Sequence, residues 1–139
     1  MMNHYNELRS SNRKMPVCAP EGQEQAMLFK WCEAQMRVGN WPELGMLFHI
    51  PNGGKRGKAE AGRFKAEGVK PGVPDLCLPV PRGQYHGLYI EMKRREGGRV
   101  STEQKEWGAK LSARGYCWMV CRGWEEARDV LTDYLEEKI

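Results

Sequence analysis

Apolar residues recur along this chain with two periods, one typical of helices and the other of strands. In EGQEQAMLFKWCEAQMRVG one helical stripe is apolar except for two polar members, and Gly39 is a suitable end for the helix. The stripe comprises Glu24, Leu28, Trp31, Gln35 and Val38. Near the end of the chain a second stripe predicts a closing amphipathic helix, with Trp124, Ala127, Leu131, Tyr134 and Leu135 on its apolar face.

Four short apolar runs predict strands. GMLFHI and YCWMVC each predict a buried strand. Between them, Asp75–Val80 and Leu88–Lys93 flank PRGQYHG, a loop with turn residues at both ends that is typical of a hairpin. The two-residue period of the second hairpin strand predicts one apolar face, formed by Leu88, Ile90 and Met92.

Two further helices complete the predicted elements. Lys58–Glu67 has helical composition and Gly68 ends it, whereas Ser101 and Gln104 form a Ser-x-x-Gln capping box for a helix that ends near Gly115. The resulting order, α β α β β α β α, predicts an α/β fold with a mixed sheet flanked by helices. Residues 1–20 lack periodicity and are expected to form an arm or tail, with the folded domain at 21–139.

Composition narrows the class of protein. A chain of 139 residues fits one domain, and a mean hydropathy of −0.71 with no long apolar run excludes a transmembrane helix or signal peptide. We therefore expect a soluble, cytoplasmic protein without a membrane partner. Five cysteines without Cys-x-x-Cys spacing favour reduced core thiols over disulfides or a zinc site.

The net charge of +4 is unevenly distributed. Residues 51–70 contain six basic and two acidic side chains, whereas the closing helix is acidic. This asymmetry indicates a polyanionic partner, although a lysine-rich stretch is often only a solvated face. The basic residues are Lys55, Arg56, Lys58, Arg63, Lys65 and Lys70.

A nucleotide-binding P-loop is the obvious alternative for this glycine-rich segment. It fails because three residues rather than four separate Gly53 from Gly57, and because Lys58 is followed by Ala59 rather than Ser or Thr. No nucleotide cofactor is expected.

Candidate catalytic residues lie on the predicted hairpin. Strand periodicity places Glu91 and Lys93 on one face, and antiparallel pairing would bring Asp75 opposite them. Two carboxylates about 4 Å apart repel by roughly 4 kcal/mol at an effective dielectric near 20, so the pair requires a proton or a cation. Lys93 can be that cation, but Mg²⁺ or Mn²⁺ is better matched to oxygen ligands from two strands.

Structural roles compete with each of these assignments. Asp75 follows a proline and suits a turn, and Glu91 with Lys93 suits a solvent-facing ion pair. Glu24 interrupts an apolar stripe, which indicates a pocket, yet acidic residues also favour the first turn of a helix. Gln104 can face the site or only cap its helix. His49 is either a DNA contact or proton carrier, or a structural histidine.

Read together, these segments resemble a known nuclease family. HIPNGGKRGKAEAGRFKAEGVKPGVPDLCLPVP followed by GLYIEMKRREGGRVSTEQKEW is similar to the VRR-NUC family, the virus-type replication-repair nucleases of the PD-(D/E)XK superfamily. Pro74-Asp75, Glu91-Met92-Lys93 and Gln104 stand in the family's order, and the resemblance spans about Glu21 to Leu135. It looks like the stand-alone phage or prophage type, acting in a bacterial cytoplasm.

The resemblance implies a restriction-endonuclease-like core with a divalent metal, Mg²⁺ or Mn²⁺. The implied metal ligands are Asp75, Glu91, the Met92 carbonyl and Glu24, which is the acidic residue of the family's first helix. Glu24 and Gln104, the family's downstream glutamine, would also belong to the catalytic residues. Lys93 would position or activate the attacking water. Small members of this family resemble homodimers that act on branched DNA, including four-way junctions.

The leading hypothesis is thus a metal-dependent DNA endonuclease, and the alternative is a non-catalytic or partner-dependent DNA-binding module. In either case the residues expected to contact DNA are His49, Asn52, Lys55, Arg56, Lys58, Arg63, Lys65 and Lys70.

Overall fold

The computed structural model describes residues 20–51 and 57–139, and these residues contain four α-helices and one four-stranded sheet. The helices are α1 (Glu21–Arg37), α2 (Lys58–Ala66), α3 (Thr102–Ala113) and α4 (Trp124–Leu135), with a 3-10 helix at Pro42–Met46. The strands are β1 (Phe48–His49), β2 (Leu76–Leu78), β3 (Leu88–Lys93) and β4 (Cys117–Arg122). This order confirms the predicted α/β class with a mixed sheet flanked by helices.

The strands lie in the order β1-β2-β3-β4. β1, β2 and β3 pair antiparallel, and β3 pairs parallel with β4 because α3 carries the chain across between them. The predicted hairpin is confirmed, with Leu76 opposite Ile90 and Leu78 opposite Leu88. Because of this register, Asp75, which precedes β2, lies near the C-terminal end of β3.

The hydrophobic core lies on one face of the sheet, between the strands and helices α1 and α4. The predicted apolar face of β3 is fully buried there, and so is the whole predicted stripe of α4. On α1, Cys32 joins the buried stripe, but Val38 is exposed because it lies at the C-cap of the helix. Cys32, Cys77, Cys117 and Cys121 are buried and free; Cys18 lies outside the described residues.

Helix α3 packs on the opposite face of the sheet, against Trp118 of β4. The helix comes this close because its contact residue is Gly108, where a Cβ atom would lie 2.4 Å from the indole. Ser101 caps α3, as the capping box predicted. The glycine thus lets α3 pack closely on β4, and Gln104 in its first turn reaches Glu91 of β3.

Three predicted boundaries or burials were wrong. GMLFHI forms a strand only at Phe48–His49, both exposed, because β1 is an edge strand and Pro42 starts a 3-10 helix before it. YCWMVC is only half-buried because β4 is the opposite edge. Asp75 lies just before β2 rather than inside it. Residues 1–19, most of the predicted tail, lie outside the described residues.

Candidate active site

Asp75 is held at the mouth of β2 by both neighbouring strands. Its carboxylate accepts a hydrogen bond from the Met92 N–H of β3, with 2.7 Å from Met92 N to Asp75 Oδ2. Its backbone carbonyl accepts one from the Ile50 N–H at 2.7 Å, and His49 Nδ1 lies 3.0 Å from the same oxygen. The carboxylate is thus fixed against the end of β3, where the hairpin register predicted it.

Glu91 lies beside Asp75 and is only 2% exposed. Its Oε1 accepts a hydrogen bond from Gln104 Nε2 at 2.8 Å and lies 3.7 Å from Lys93 Nζ. Its Oε2 is buried without a hydrogen-bond partner in the described part of the chain. Asp75, Glu91, Lys93 and Gln104 therefore meet in one place.

The environment of Glu91 disfavours its charge. Burial, followed by the negative charge of Asp75 and a hydrogen bond that the protonated form makes to Asp75, raises the pKa of Glu91 from 4.5 to about 8. The positive charge of Lys93 lowers the pKa of Glu91, and the negative charge of Glu21 raises it further. Without a cation beyond Lys93, these surroundings favour the protonated form of Glu91.

Gln104 combines the two roles that the sequence presented as alternatives. Its backbone N–H donates to Ser101 Oγ at 3.1 Å, and its Oε1 accepts from the Ser101 N–H at 2.8 Å, which completes the capping box. The amide nitrogen is then oriented toward Glu91. The cap therefore fixes which end of the amide faces the carboxylate.

Lys93 is nearly buried, with 8% of its surface exposed, and shares its face of β3 with Glu91. At 3.7 Å from Glu91 its ammonium group offsets part of the negative charge but leaves Glu91 Oε2 unpaired. A nearly buried lysine beside a buried carboxylate suits a catalytic ammonium better than a surface ion pair, which is exposed and contributes little.

These residues fit a hard divalent cation. The carboxylate of Asp75, just before β2, lies close to that of Glu91 on β3, and Glu91 carries a buried oxygen that lacks a donor. No group of three or more His, Cys, Asp and Glu side chains placed to hold a metal occurs within residues 20–51 and 57–139. A metal here would be held by Asp75 and Glu91, together with the Met92 carbonyl that the resemblance implies and with water.

Glu24 does not join this group. It is fully buried and forms an ion pair with Arg95, whose Nε lies 2.8 Å from Glu24 Oε1, and it accepts a hydrogen bond from the Trp124 N–H at 2.8 Å. Arg95 also pairs with Glu125. Both oxygens of Glu24 are thus engaged in tying α1 to α4, and its role as a metal ligand stays a prediction.

Two residues near the site were missed by the sequence reasoning. Glu21 lies three residues before Glu24, and its charge reaches Glu91 although its side chain is exposed. Arg95 follows β3 and neutralises Glu24. The spacing of Glu21 on the first turn of α1 was an available signal, whereas the partner of Glu24 lies 71 residues away and no local pattern indicates it.

The described members of the expected DNA surface are exposed. α2 has no buried residue, so its basic side chains extend into solvent rather than into the core. Arg63 lies over the Phe64 ring and 4.0 Å from Glu67. This ion pair is exposed to solvent, so it neutralises little of the positive charge of Arg63. The exposed set comprises His49, Lys58, Arg63, Lys65 and Lys70. Asn52, Lys55 and Arg56 lie outside the described residues.

Comparisons with known proteins agree with this geometry. The sequence model of the VRR-NUC domain matches residues 19–125, which include the four clustered residues. This chain belongs to the VRR-NUC family. A solved structure named "VRR_NUC domain protein" is similar to it with a TM-score of 0.73 and 31% identity, over 86% of this chain and 90% of that chain. No curated protein matches.

Membership of the VRR-NUC family makes this chain a nuclease domain, for which DNA is the implied substrate. The resemblance inferred from the motifs is thereby confirmed. Within the described residues, no helix is both long and apolar enough to span a membrane.

Proposed function

We propose that this VRR-NUC protein is a divalent-metal-dependent endodeoxyribonuclease that hydrolyses phosphodiester bonds, preferentially in branched DNA such as four-way junctions. The observation that carries the metal dependence is the buried, unpaired Oε2 of Glu91 beside Asp75. Such an arrangement destabilises the fold unless a cation or a proton compensates it. In a nuclease that uses Mg²⁺ or Mn²⁺, the bound metal would compensate this energetic cost.

A bound Mg²⁺ or Mn²⁺ would supply Lewis-acid activation of water and of the scissile phosphate. The chain supplies the rest. The Met92 N–H fixes Asp75, the Gln104 amide fixes Glu91, and Lys93 orients the attacking water and stabilises negative charge that develops on the phosphate. Hydrolysis forms one P–O bond to water and breaks another; the hydroxyl stays on phosphorus and the proton goes to the leaving oxygen.

The exposed basic side chains of α2 and the following loop support DNA as the polyanion. Lys58, Arg63, Lys65 and Lys70 add positive charge to the segment that leads to Asp75. Phosphate contacts of this kind position a duplex without selecting sequence. A helix with no buried residue contributes nothing to the core, so its charge is better explained by a partner.

The preference for branched DNA and the homodimer are proposed from the family resemblance. Two active sites related by a two-fold axis suit paired cuts in a four-way junction. Light scattering of the purified protein tests the dimer, with a mass of twice 16.0 kDa expected and a monomer at micromolar concentration as the contrary result.

A non-catalytic DNA-binding module is the alternative function. It would use the same basic surface but would not require Glu91 to be buried beside Asp75. A panel of labelled four-way junctions, flaps and linear duplexes, each with Mg²⁺, Mn²⁺ or EDTA, separates the two. Metal-dependent products, strongest on the junction and missing with Asp75→Ala, support the nuclease. Metal-independent binding without products supports the module.

A further inference from the structure

The loop between β3 and α3 lies directly against Lys93. A Cβ atom at Gly98 would lie 3.4 Å from both Cβ and Cδ of Lys93, so Gly98 faces the lysine stem across a gap that a single side-chain carbon would fill. Lys93 is 8% exposed, and Gly98 is one of the residues that lie beside its stem. The place of the ammonium group therefore depends on the place of the loop.

Arg122 holds that loop from the neighbouring strand. It pairs with Lys93 in the parallel β3–β4 register and so lies on the same face of the sheet. Its Nη1 donates a hydrogen bond to the Gly98 carbonyl at 2.7 Å and lies 3.5 Å from the Arg94 carbonyl. One guanidinium group thus joins both ends of the turn that covers Lys93.

Arg122 is itself firmly placed. Its backbone N–H donates to Glu126 Oε2 at 2.6 Å, and the N–H of Gly123 donates to the Lys93 carbonyl at 3.1 Å. The end of β4 is therefore tied to the end of β3 and to α4. A planar guanidinium with several donors suits a contact with two carbonyl oxygens, whereas the flexible ammonium of a lysine does not match it.

We propose that Arg122 is a positioning residue, which holds the Lys93 ammonium beside Glu91 by pinning Gly98 over the lysine stem. The inference rests on the proposed nuclease function and extends it to a residue outside the metal-binding pair. The four-carbon stem of Lys93 rotates about its single bonds. If the loop is free to move, the ammonium group can therefore occupy several positions. Catalysis depends on fixed geometry, and displacement of a reacting group by about 1 Å costs up to about 100-fold in rate.

The test variant is Arg122→Met, which keeps an apolar stem and removes every donor. We expect kcat for metal-dependent cleavage to fall about 10- to 100-fold while KM changes less than about threefold. Arg122→Lys keeps one donor for the Gly98 carbonyl and should recover part of kcat. Arg94→Ala is the matched control, since it removes one positive charge from an exposed side chain of the same loop.

A second measurement does not depend on activity. Acylation of lysines by a small amine-reactive reagent, quantified by peptide mass spectrometry, reports how accessible each ammonium group is. In Arg122→Met we expect Lys93 to react at least about threefold faster, because its cover is released, while the exposed Lys105 and Lys110 react at unchanged rates. Circular dichroism shows whether the variant is folded; if it is not, Arg122→Lys carries both measurements and should give intermediate values.

The results separate this inference from the proposed function. Wild-type kcat and wild-type labelling of Lys93 in folded Arg122→Met would overturn the positioning role. A loss confined to KM, sensitive to salt and matched by Arg94→Ala, would overturn it in favour of a DNA contact. If wild type cleaves no DNA, the nuclease proposal fails, and the labelling rates still decide whether Arg122 holds Lys93.

Discussion

Glu91→Gln removes the charge that the metal-free site tolerates least. Glutamine is nearly isosteric, its oxygen can still accept from Gln104, and its amide nitrogen can donate to Asp75 as a protonated Glu91 would. The variant therefore mimics the protonated wild type at every pH. We expect it to be more stable than wild type at high pH and nearly equal to it at low pH, when both are free of metal.

The sign of the pH dependence of stability follows from the number of protons that the folded and unfolded states bind. Unfolded Glu91 releases its proton near pH 4.5, whereas folded Glu91 keeps it until about pH 8. Between these values the folded state binds more protons, so the free energy of unfolding falls as the pH rises. A pKa difference of about 3.5 units at 1.36 kcal/mol each gives about 5 kcal/mol as an upper limit, reached above pH 8.

Urea unfolding followed by tryptophan fluorescence, in EDTA at pH 5, 7 and 9, measures the effect. The difference between the variant and wild type cancels the titration of groups that both share. We expect this difference to be near zero at pH 5 and to reach several kcal/mol at pH 9. Addition of Mg²⁺ at pH 8 should stabilise wild type and leave Glu91→Gln nearly unchanged, because the variant lacks the ligand charge.

The contrary result is a free energy of unfolding that changes with pH in the same way for both proteins from pH 5 to 9. It would mean that Glu91 is ionised in the folded, metal-free protein at ordinary cost. The buried oxygen would then have a partner such as water, and the argument for a metal from its unpaired state would be lost.

Further predictions concern the edges of the site. Glu24→Gln should lower the free energy of unfolding by about 2 to 3 kcal/mol, because it breaks a buried ion pair whose partner Arg95 is one-third exposed. Mg²⁺ affinity, measured by calorimetry, should change little. Loss of Mg²⁺ binding with wild-type stability would instead make Glu24 a metal ligand. Replacing four exposed basic residues with Gln should weaken junction binding and reduce the slope of log affinity against log salt by up to about four, whereas an unchanged slope would leave them merely solvated. The four are Lys58, Arg63, Lys65 and Lys70.

The sequence was sufficient for much of the fold and for the centre of the site. The buried faces of α4 and β3 were predictable from periodicity, because one face of each element is uniformly apolar. Asp75 and Glu91 could be brought together because a short hairpin loop fixes which residues oppose each other. Gln104 was recognisable because capping depends only on residues three apart.

Long-range partners were not predictable. Glu24 was assigned to the metal site because a charge on an apolar stripe requires a partner, and that assignment stays a prediction. Its partner is Arg95, brought in by the packing of α1 against the end of β3. The exposure of GMLFHI was missed for a related reason, because a strand's place at the edge of a sheet depends on its neighbours and not on its own residues.

Cleavage of a labelled four-way junction by Lys93→Ala, beside wild type and in the presence of Mg²⁺ or Mn²⁺, measures whether Lys93 and the metal act together in hydrolysis. Lys93 lies at the edge of the carboxylate pair, so its loss should leave the fold intact, as circular dichroism would show. We expect metal-dependent products from wild type, none with EDTA, and a loss of at least about 100-fold in the variant. Full activity of the folded Lys93→Ala protein would contradict this expectation.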